Sequence, residues 1–258
     1  IVCLCHLGPM EYEVAFCRPA IAAVWMFYLL SGYLMTLLTQ ERYQGQRWLF
    51  LAHRALRIYP IYWIVLAFSI GGYAHFGIHP DFQGQLIWPP PANMLAQWLL
   101  VIDIYSMPWV AVPVAWTLTV ELAWYIAIAF GIFDNRRQTY ALLAIIAIAG
   151  YLHSPQYFSI RWAAVPFAIG AALYWAGLKL PRDKGWAVLA GALSYPVFLI
   201  HYTLGSFLAI GLGMDRGWPL FGITMVATVV LSLCLVVLVE RPVNRMRSQV
   251  TKAFQSVH

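Results

Sequence analysis

Three titratable side chains lie in apolar parts of this chain: the carboxylate of Glu121 and the imidazoles of His6 and His201. Glu121 is the only charged residue between positions 113 and 133. A carboxylate at bilayer depth costs several kcal/mol unless it faces a polar cavity or a partner, so Glu121 indicates a functional site. The structural alternative is a helix–helix contact in which its carboxyl group is protonated or paired.

The histidines lie at a depth similar to that of Glu121. His6 lies near the outer end of a partial first helix, and His201 lies about 15 Å from the outer end of its own helix. Glu121 lies about 12 Å inside its span by the same measure. Because imidazole transfers protons near neutral pH, we predict one polar pocket that opens outward and contains all three residues. Each histidine taken alone would be read as a packing residue.

A pair of arginines precedes another apolar segment. Arg54 and Arg57 are three residues apart, so a helix would place them on one face. Such a pair suits the recognition of phosphate or pyrophosphate. The alternative is that both side chains snorkel to the membrane surface and serve as anchors. The four cysteines include no CxxC pair, so no metal site is predicted.

Composition places the chain among membrane proteins. Hydrophobic residues make up 62% of it and charged residues only 10%, against about 25% charged in soluble domains. We predict an all-α, polytopic transmembrane helix bundle formed by a single domain over 1–258. Its eight crossings include a truncated first helix over 1–7, and the N-terminus is expected to be incomplete. The other predicted spans are 20–39, 60–78, 113–133, 139–152, 161–178, 186–211 and 218–239.

Two features complete the predicted topology. The segment 94–107 is apolar but short and carries Asp103, so we expect a re-entrant or interfacial helix on the outer face. Of the sixteen Lys and Arg residues, all but Arg18, Arg161 and Arg216 fall on one side of the membrane. That side is predicted to be cytoplasmic and to hold the C-terminus. The net charge of +6 is therefore assigned to topology and not to nucleic-acid binding.

Five segments of the chain resemble, in order, the acyltransferase 3 family of integral membrane acyltransferases. They read VWMFYLLSGYLMT over 24–36, RALRIYPIYW over 54–63, WTLTVELAWY over 116–125, LSYPVFLIH over 193–201 and VERP over 239–242. Each segment is weak alone, but five in order across nearly the whole chain are specific.

The resemblance implies roles for individual residues. His6 occupies the place of the family's catalytic first-helix histidine, Arg54 and Arg57 match its arginine pair, and Glu121 matches its tryptophan-linked glutamate. Ser31 and Gly32 match its Ser-Gly pair. Two departures are visible. The family's arginine about three turns before the histidine would lie before the first residue here, and the short distance from Glu121 to the LSY motif suggests that about two helices are absent.

The resemblance also implies an activity. It predicts transfer of an acyl group, usually acetyl, from acyl-CoA to a hydroxyl of a carbohydrate or cell-envelope polymer at the bacterial inner membrane. Arg54 and Arg57 would hold the donor phosphates at the cytoplasmic face. His6 would act as general base or transient acyl carrier, with Glu121 or His201 positioning it. No metal is implied.

Two other classes of protein remain open from the sequence. A proton-coupled secondary transporter or flippase would also use intramembrane Glu and His, and Pro196 predicts a kinked or broken helix of the kind that transporters contain. Against a transporter, no inverted repeat is visible and the arginine pair would have no clear role. A membrane sensor or scaffold without chemistry is the third class.

Overall fold

The chain folds almost entirely into helices. The computed structural model describes residues 2–7, 14–78, 87–102, 107, 109–152, 160–179 and 185–255, and these contain no β-strand. Four helical stretches are long and apolar enough to cross a membrane: Ala20–Glu41, Arg47–Phe76, Gly191–Leu212 and Trp218–Thr251. The predicted all-α transmembrane fold is confirmed, while the number of eight crossings stays a prediction.

Ten α-helices lie within the described residues. They are α1 (Val2–Leu7), α2 (Val14–Glu41), α3 (Arg47–Phe76), α4 (Pro91–Trp98), α5 (Trp116–Ala129), α6 (Arg136–Leu152), α7 (Ile160–Trp175), α8 (Gly185–Leu212), α9 (Trp218–Leu235) and α10 (Arg241–Gln255). A 3-10 turn over Pro113–Ala115 leads into α5, and a π-helical turn over Val236–Glu240 joins α9 to α10.

The helices differ from the predicted spans at three places. Helix α3 begins at Arg47 rather than at position 60, so the arginine pair lies inside the helix. Helix α8 passes through Pro196 without a break, because interrupting a helix in lipid would leave several backbone groups unpaired, whereas proline removes only one hydrogen bond. In the segment 94–107, helix α4 ends at Trp98, and Asp103 lies outside the described residues.

The chain divides into two compact units, which we call the first unit and the second unit. The first unit comprises Ile1–Ala20, Arg57–Trp116 and Asp183–Met246, and the second comprises Ile21–Leu56, Thr117–Arg182 and Arg247–His258. Helices α2, α3 and α10 therefore each contribute residues to both units.

The first unit is organised around an antiparallel pair of helices, α8 and α9. Helix α8 ends at Gly213, whose φ of 62° suits a residue without a side chain, and Pro219 lies in the first turn of α9. Helix α1 packs against both. A Cβ placed on Gly205 would overlap the side chain of Leu7 and lie 3.1 Å from Thr224 Cγ2. Glycine at this point therefore lets the three helices meet closely.

Gln97 holds the segment after α4 in the first unit. Its Nε2 donates to Asn93 Oδ1 at 2.8 Å and to the Trp109 carbonyl at 3.1 Å, while its Oε1 accepts from the Ala111 amide at 2.8 Å. Tyr62 of α3 donates to the Gln97 carbonyl at 2.6 Å. Gln97 is fully buried and well supplied with partners, so we assign it a structural role.

The core of the second unit lies where α2 meets α7 and α5. A Cβ on Gly32 would overlap the Phe167 carbonyl oxygen, and a Cβ on Gly170 would overlap the Leu29 carbonyl oxygen. Small residues let the two helix backbones approach closely, as is common in membrane bundles. The ring of Phe167 stacks on Trp124 of α5 at a centroid distance of 5.3 Å. This packing fixes the faces of α2 and α5 that carry Ser31 and Glu121.

Candidate functional site

The two histidines predicted as site residues contact each other in the first unit. The ring centroids of His6 and His201 lie 5.6 Å apart with an interplanar angle of 41°. The ring of His6 also meets that of Tyr202 edge-on at 5.1 Å. His201 is fully buried on α8, whereas His6 on α1 is partly exposed. The arrangement gives one imidazole that a substrate can reach and one behind it that solvent cannot reach.

Hydrogen bonds fix the tautomer of His201. Its Nδ1 lies 2.7 Å from the Phe198 carbonyl oxygen and 3.2 Å from the Val197 carbonyl oxygen. A carbonyl oxygen only accepts, so Nδ1 carries the proton and donates it. In the neutral ring Nε2 is then an acceptor, and it is buried without a hydrogen-bond partner among the described residues. Nε2 is therefore the atom at which this ring would accept a proton.

Glu121 accepts hydrogen bonds from two hydroxyl groups in the second unit. Ser31 Oγ of α2 donates to Glu121 Oε1 at 2.9 Å, and the hydroxyl group of Tyr125 donates to the same oxygen. The side chains of Ser31 and Glu121 are each only 6% exposed. Hydroxyl donors satisfy a carboxylate that is withdrawn from water, so Glu121 is held in one orientation.

Arg54 lies buried in the same unit, and its guanidinium contacts aromatic rings and a sulfur atom. The guanidinium carbon lies 5.8 Å from the ring centroid of Phe50 and 6.0 Å from that of Tyr125. Nη1 donates to Met35 Sδ at 3.8 Å, and Nε has no hydrogen-bond partner among the described residues. A guanidinium carries five N–H donors, so Arg54 retains the capacity to bind an anionic ligand. Tyr125 links it to Glu121, since its ring faces the cation and its hydroxyl group donates to the carboxylate.

The two arginines of the predicted pair differ in environment. Arg54 is buried and belongs to the second unit, whereas Arg57 is exposed and belongs to the first. Three residues along a helix rotate a side chain by about 300°, which leaves it about 60° from the starting direction. That offset turns Arg54 toward Phe50 and Tyr125 and leaves Arg57 at the surface. The two arginines therefore differ in burial and in neighbours, although their spacing keeps them within about 60° of each other around α3.

The predicted site residues fall into two sets. His6 and His201 are brought together in the first unit, and Glu121, Ser31 and Arg54 lie in the second.

Sequence reasoning missed two aromatic residues of these sets. Tyr125 follows Glu121 by four positions, and helical spacing alone puts two such residues on one face. Tyr202 follows His201 directly and contacts His6, for which helical spacing offers no comparable signal.

Comparison with known proteins assigns no relative. No protein-family model, curated protein or solved structure matches this chain. The resemblance to the acyltransferase 3 family therefore rests on the five sequence segments alone.

Proposed function

We propose that this chain is a membrane-embedded acyltransferase. It would move an acyl group, in the simplest case acetyl, from acyl-CoA to a hydroxyl group of a carbohydrate or other cell-envelope acceptor. The observation that carries the proposal is the histidine pair, in which His201 has its proton held on Nδ1 and its buried Nε2 without a hydrogen-bond partner among the described residues, beside His6. Removing a proton from a hydroxyl nucleophile is the step for which such a pair is suited.

The two histidines would have different roles in accepting the proton. His6 is partly exposed, so it is the imidazole that an acceptor hydroxyl can approach. It takes the hydroxyl proton while the acceptor oxygen attacks the thioester carbonyl carbon. His201 is placed to receive or balance that proton, because its free Nε2 is an acceptor. Neither step needs a metal ion or a covalent enzyme intermediate.

Arg54 would supply the binding site for the donor phosphates. Coenzyme A is anionic, and a buried guanidinium with spare N–H donors binds phosphate oxygens strongly. Glu121 and Tyr125 would hold the charge and position of this group, in agreement with their hydrogen bond. The distribution of Lys and Arg supports a cytoplasmic donor side and a cytoplasmic C-terminus, and the family resemblance supports a bacterial inner-membrane location.

A proton-coupled transporter or flippase is the alternative that the experiment must exclude. It would use the same buried carboxylate and histidines. The continuous helix α8 removes one argument for it, since Pro196 does not produce the broken helix expected of a transporter.

The test is the consumption of acetyl-CoA by protein purified in detergent, with cell-envelope polysaccharide as acceptor. His6→Ala and His201→Ala should each reduce transfer by at least a hundredfold, in the range expected for the loss of general base catalysis. His75→Ala is the matched control, since His75 is exposed at the end of α3 and should be dispensable. Near-normal transfer by both histidine variants would overturn the assignment. Proton uptake into proteoliposomes without consumption of acetyl-CoA would favour the transporter.

A further inference from the structure

Helix α9 turns a row of hydroxyl groups inward. Its buried residues are Leu220, Thr224, Thr228, Ser232 and Leu235. The three polar residues are fully buried, and their spacing of four residues places them on one face. Outward residues are apolar, with Val226 67% and Val230 56% exposed. The helix is therefore apolar toward lipid and polar toward its own unit. We call this inner row the hydroxyl seam.

The hydroxyl groups of the seam do not bond to their own helix. Thr36, Ser69 and Ser206 show the usual arrangement, in which each donates at 2.8 or 2.9 Å to the carbonyl four residues earlier. In contrast, the seam hydroxyls have no hydrogen-bond partner within the part of the chain that the structure describes. Close helix packing would explain why these residues are small, but alanine would serve equally well. It does not explain three buried hydroxyl groups without a hydrogen-bond partner among the described residues.

The seam faces helix α8 at the level of the histidine pair. Thr224 Cγ2 lies next to Gly205 of α8, and the two helices run antiparallel. Counted from the loop between them, His201 lies about 16 Å along α8 and Thr228 about 15 Å along α9. The Thr228 hydroxyl group and the His201 Nε2 acceptor are thus at one depth. The Nε2 atom of His201 is a buried polar atom without a hydrogen-bond partner among the described residues, and this observation is independent of the row on α9.

The spacing of the hydroxyl groups fits water. Residues four apart on a helix are separated by about 6 Å along its axis. One water molecule at about 2.8 Å from each of two hydroxyl groups spans at most about 5.6 Å, and less when its hydrogen bonds are bent, so each gap suits a chain of two water molecules. Buried water typically satisfies two to four otherwise unpaired polar groups, which is what this region offers.

We propose that the hydroxyl seam holds a file of ordered water molecules that carries the proton released at the histidine pair along α9. The second part of this inference rests on the proposed acyl transfer. In that reaction the acceptor O–H bond breaks and the acceptor oxygen bonds to the acyl carbon. The acyl C–S bond breaks with its electron pair going to sulfur. The proton passes from imidazole into the hydroxyl groups and water molecules of the seam, and the thiolate takes up a proton from solvent to form the S–H bond of coenzyme A.

The effect of Thr228→Val on stability shows whether the hydroxyl seam contains water or is dry. Valine keeps the shape of threonine and removes only the hydroxyl group. If the hydroxyl binds water, Thr228→Val should lower the melting temperature in detergent. It should lower it more than Thr36→Val, which removes a hydroxyl already bonded within its helix. If the seam is dry, the same change relieves an unpaired polar group and the melting temperature should rise, which would overturn the proposal. Ser232→Ala is a second, independent test, in which the melting temperature should also fall if the seam contains water and rise if it is dry.

Turnover tests the proton path separately. Thr228→Val should reduce kcat for acyl transfer by about tenfold or more with an unchanged donor KM, and Thr228→Ser should restore it because serine keeps the hydroxyl. Equal kcat in the valine variant and in the wild type would overturn the proton path. The comparison of melting temperatures does not depend on enzyme activity. If the wild-type protein transfers no acyl group, the proposed function is refuted, but the melting temperatures still test whether the seam contains water.

Discussion

Replacing Arg54 and Arg57 one at a time should separate a binding arginine from an anchoring one. A charge-assisted hydrogen bond contributes about 1.5–3 kcal/mol, so Arg54→Gln should raise the Kd for coenzyme A by about ten- to a hundredfold. The exposed Arg57 offers a solvent-screened contact of about 0–1 kcal/mol, so Arg57→Gln should raise the Kd by less than about fivefold. Arg54→Gln also loses two cation–π contacts but no longer buries a charge, so its stability should change little.

Calorimetric titration in detergent at one fixed salt concentration measures both Kd values. The control ligand is acetyl-pantetheine, which carries the thioester arm without the phosphates. Its affinity should be the same for wild type and for Arg54→Gln, because the contact that was removed is to phosphate. Two results would refute the reasoning. One is an equal loss of coenzyme A affinity in both arginine variants, and the other is a loss in Arg54→Gln that persists with acetyl-pantetheine.

Two pairs of substitutions test the contacts of Glu121 and of Gly32 in the second unit. Glu121→Gln keeps an acceptor for the two hydroxyl donors, so this variant should melt near the wild-type temperature. Glu121→Leu leaves both donors unpaired and should lower the free energy of unfolding by about 2–6 kcal/mol. Equal melting temperatures of the two variants would show that these hydrogen bonds contribute nothing to stability. Gly32→Ala should destabilise by about 1–3 kcal/mol because its Cβ would overlap the Phe167 carbonyl, while Gly71→Ala meets open space and should be neutral or stabilising in the same thermal melt.

The helices could be predicted from the sequence because the bilayer imposes their length and polarity. Apolar runs of about twenty residues identified α2, α8 and α9, and the structure extends or trims them by a few residues. The start of α3 was missed because hydropathy falls where Arg47, Arg54 and Arg57 occur, although arginine is a good helix former. Of the kink or break expected at Pro196, the structure excludes the break, because no water in lipid would satisfy an interrupted backbone.

The site was only partly accessible to sequence reasoning. Comparable depth predicted one pocket with His6, His201 and Glu121; the structure brings the two histidines into contact, while Glu121 belongs to the second unit. The difference between Arg54 and Arg57 depends on which neighbour fills each direction around α3, and spacing does not encode this. The row of hydroxyl groups on α9 was not predicted, and the lack of hydrogen-bond partners for these groups among the described residues depends on side-chain positions that the sequence does not give.

The contrast between α9 and α3 has a consequence for biogenesis. No charged residue occurs from Trp218 to Val239, so the insertion machinery can release α9 into lipid as an independent segment. Helix α3 carries His53 and three arginines in its first half, and Arg54 gains the last of its contacts only once Tyr125 of α5 has been synthesised. The ribosome must therefore add α5 before that part of α3 is fully accommodated. Nascent chains truncated before and after Ala129 should accordingly differ in how completely α3 is protected from a membrane-impermeant label.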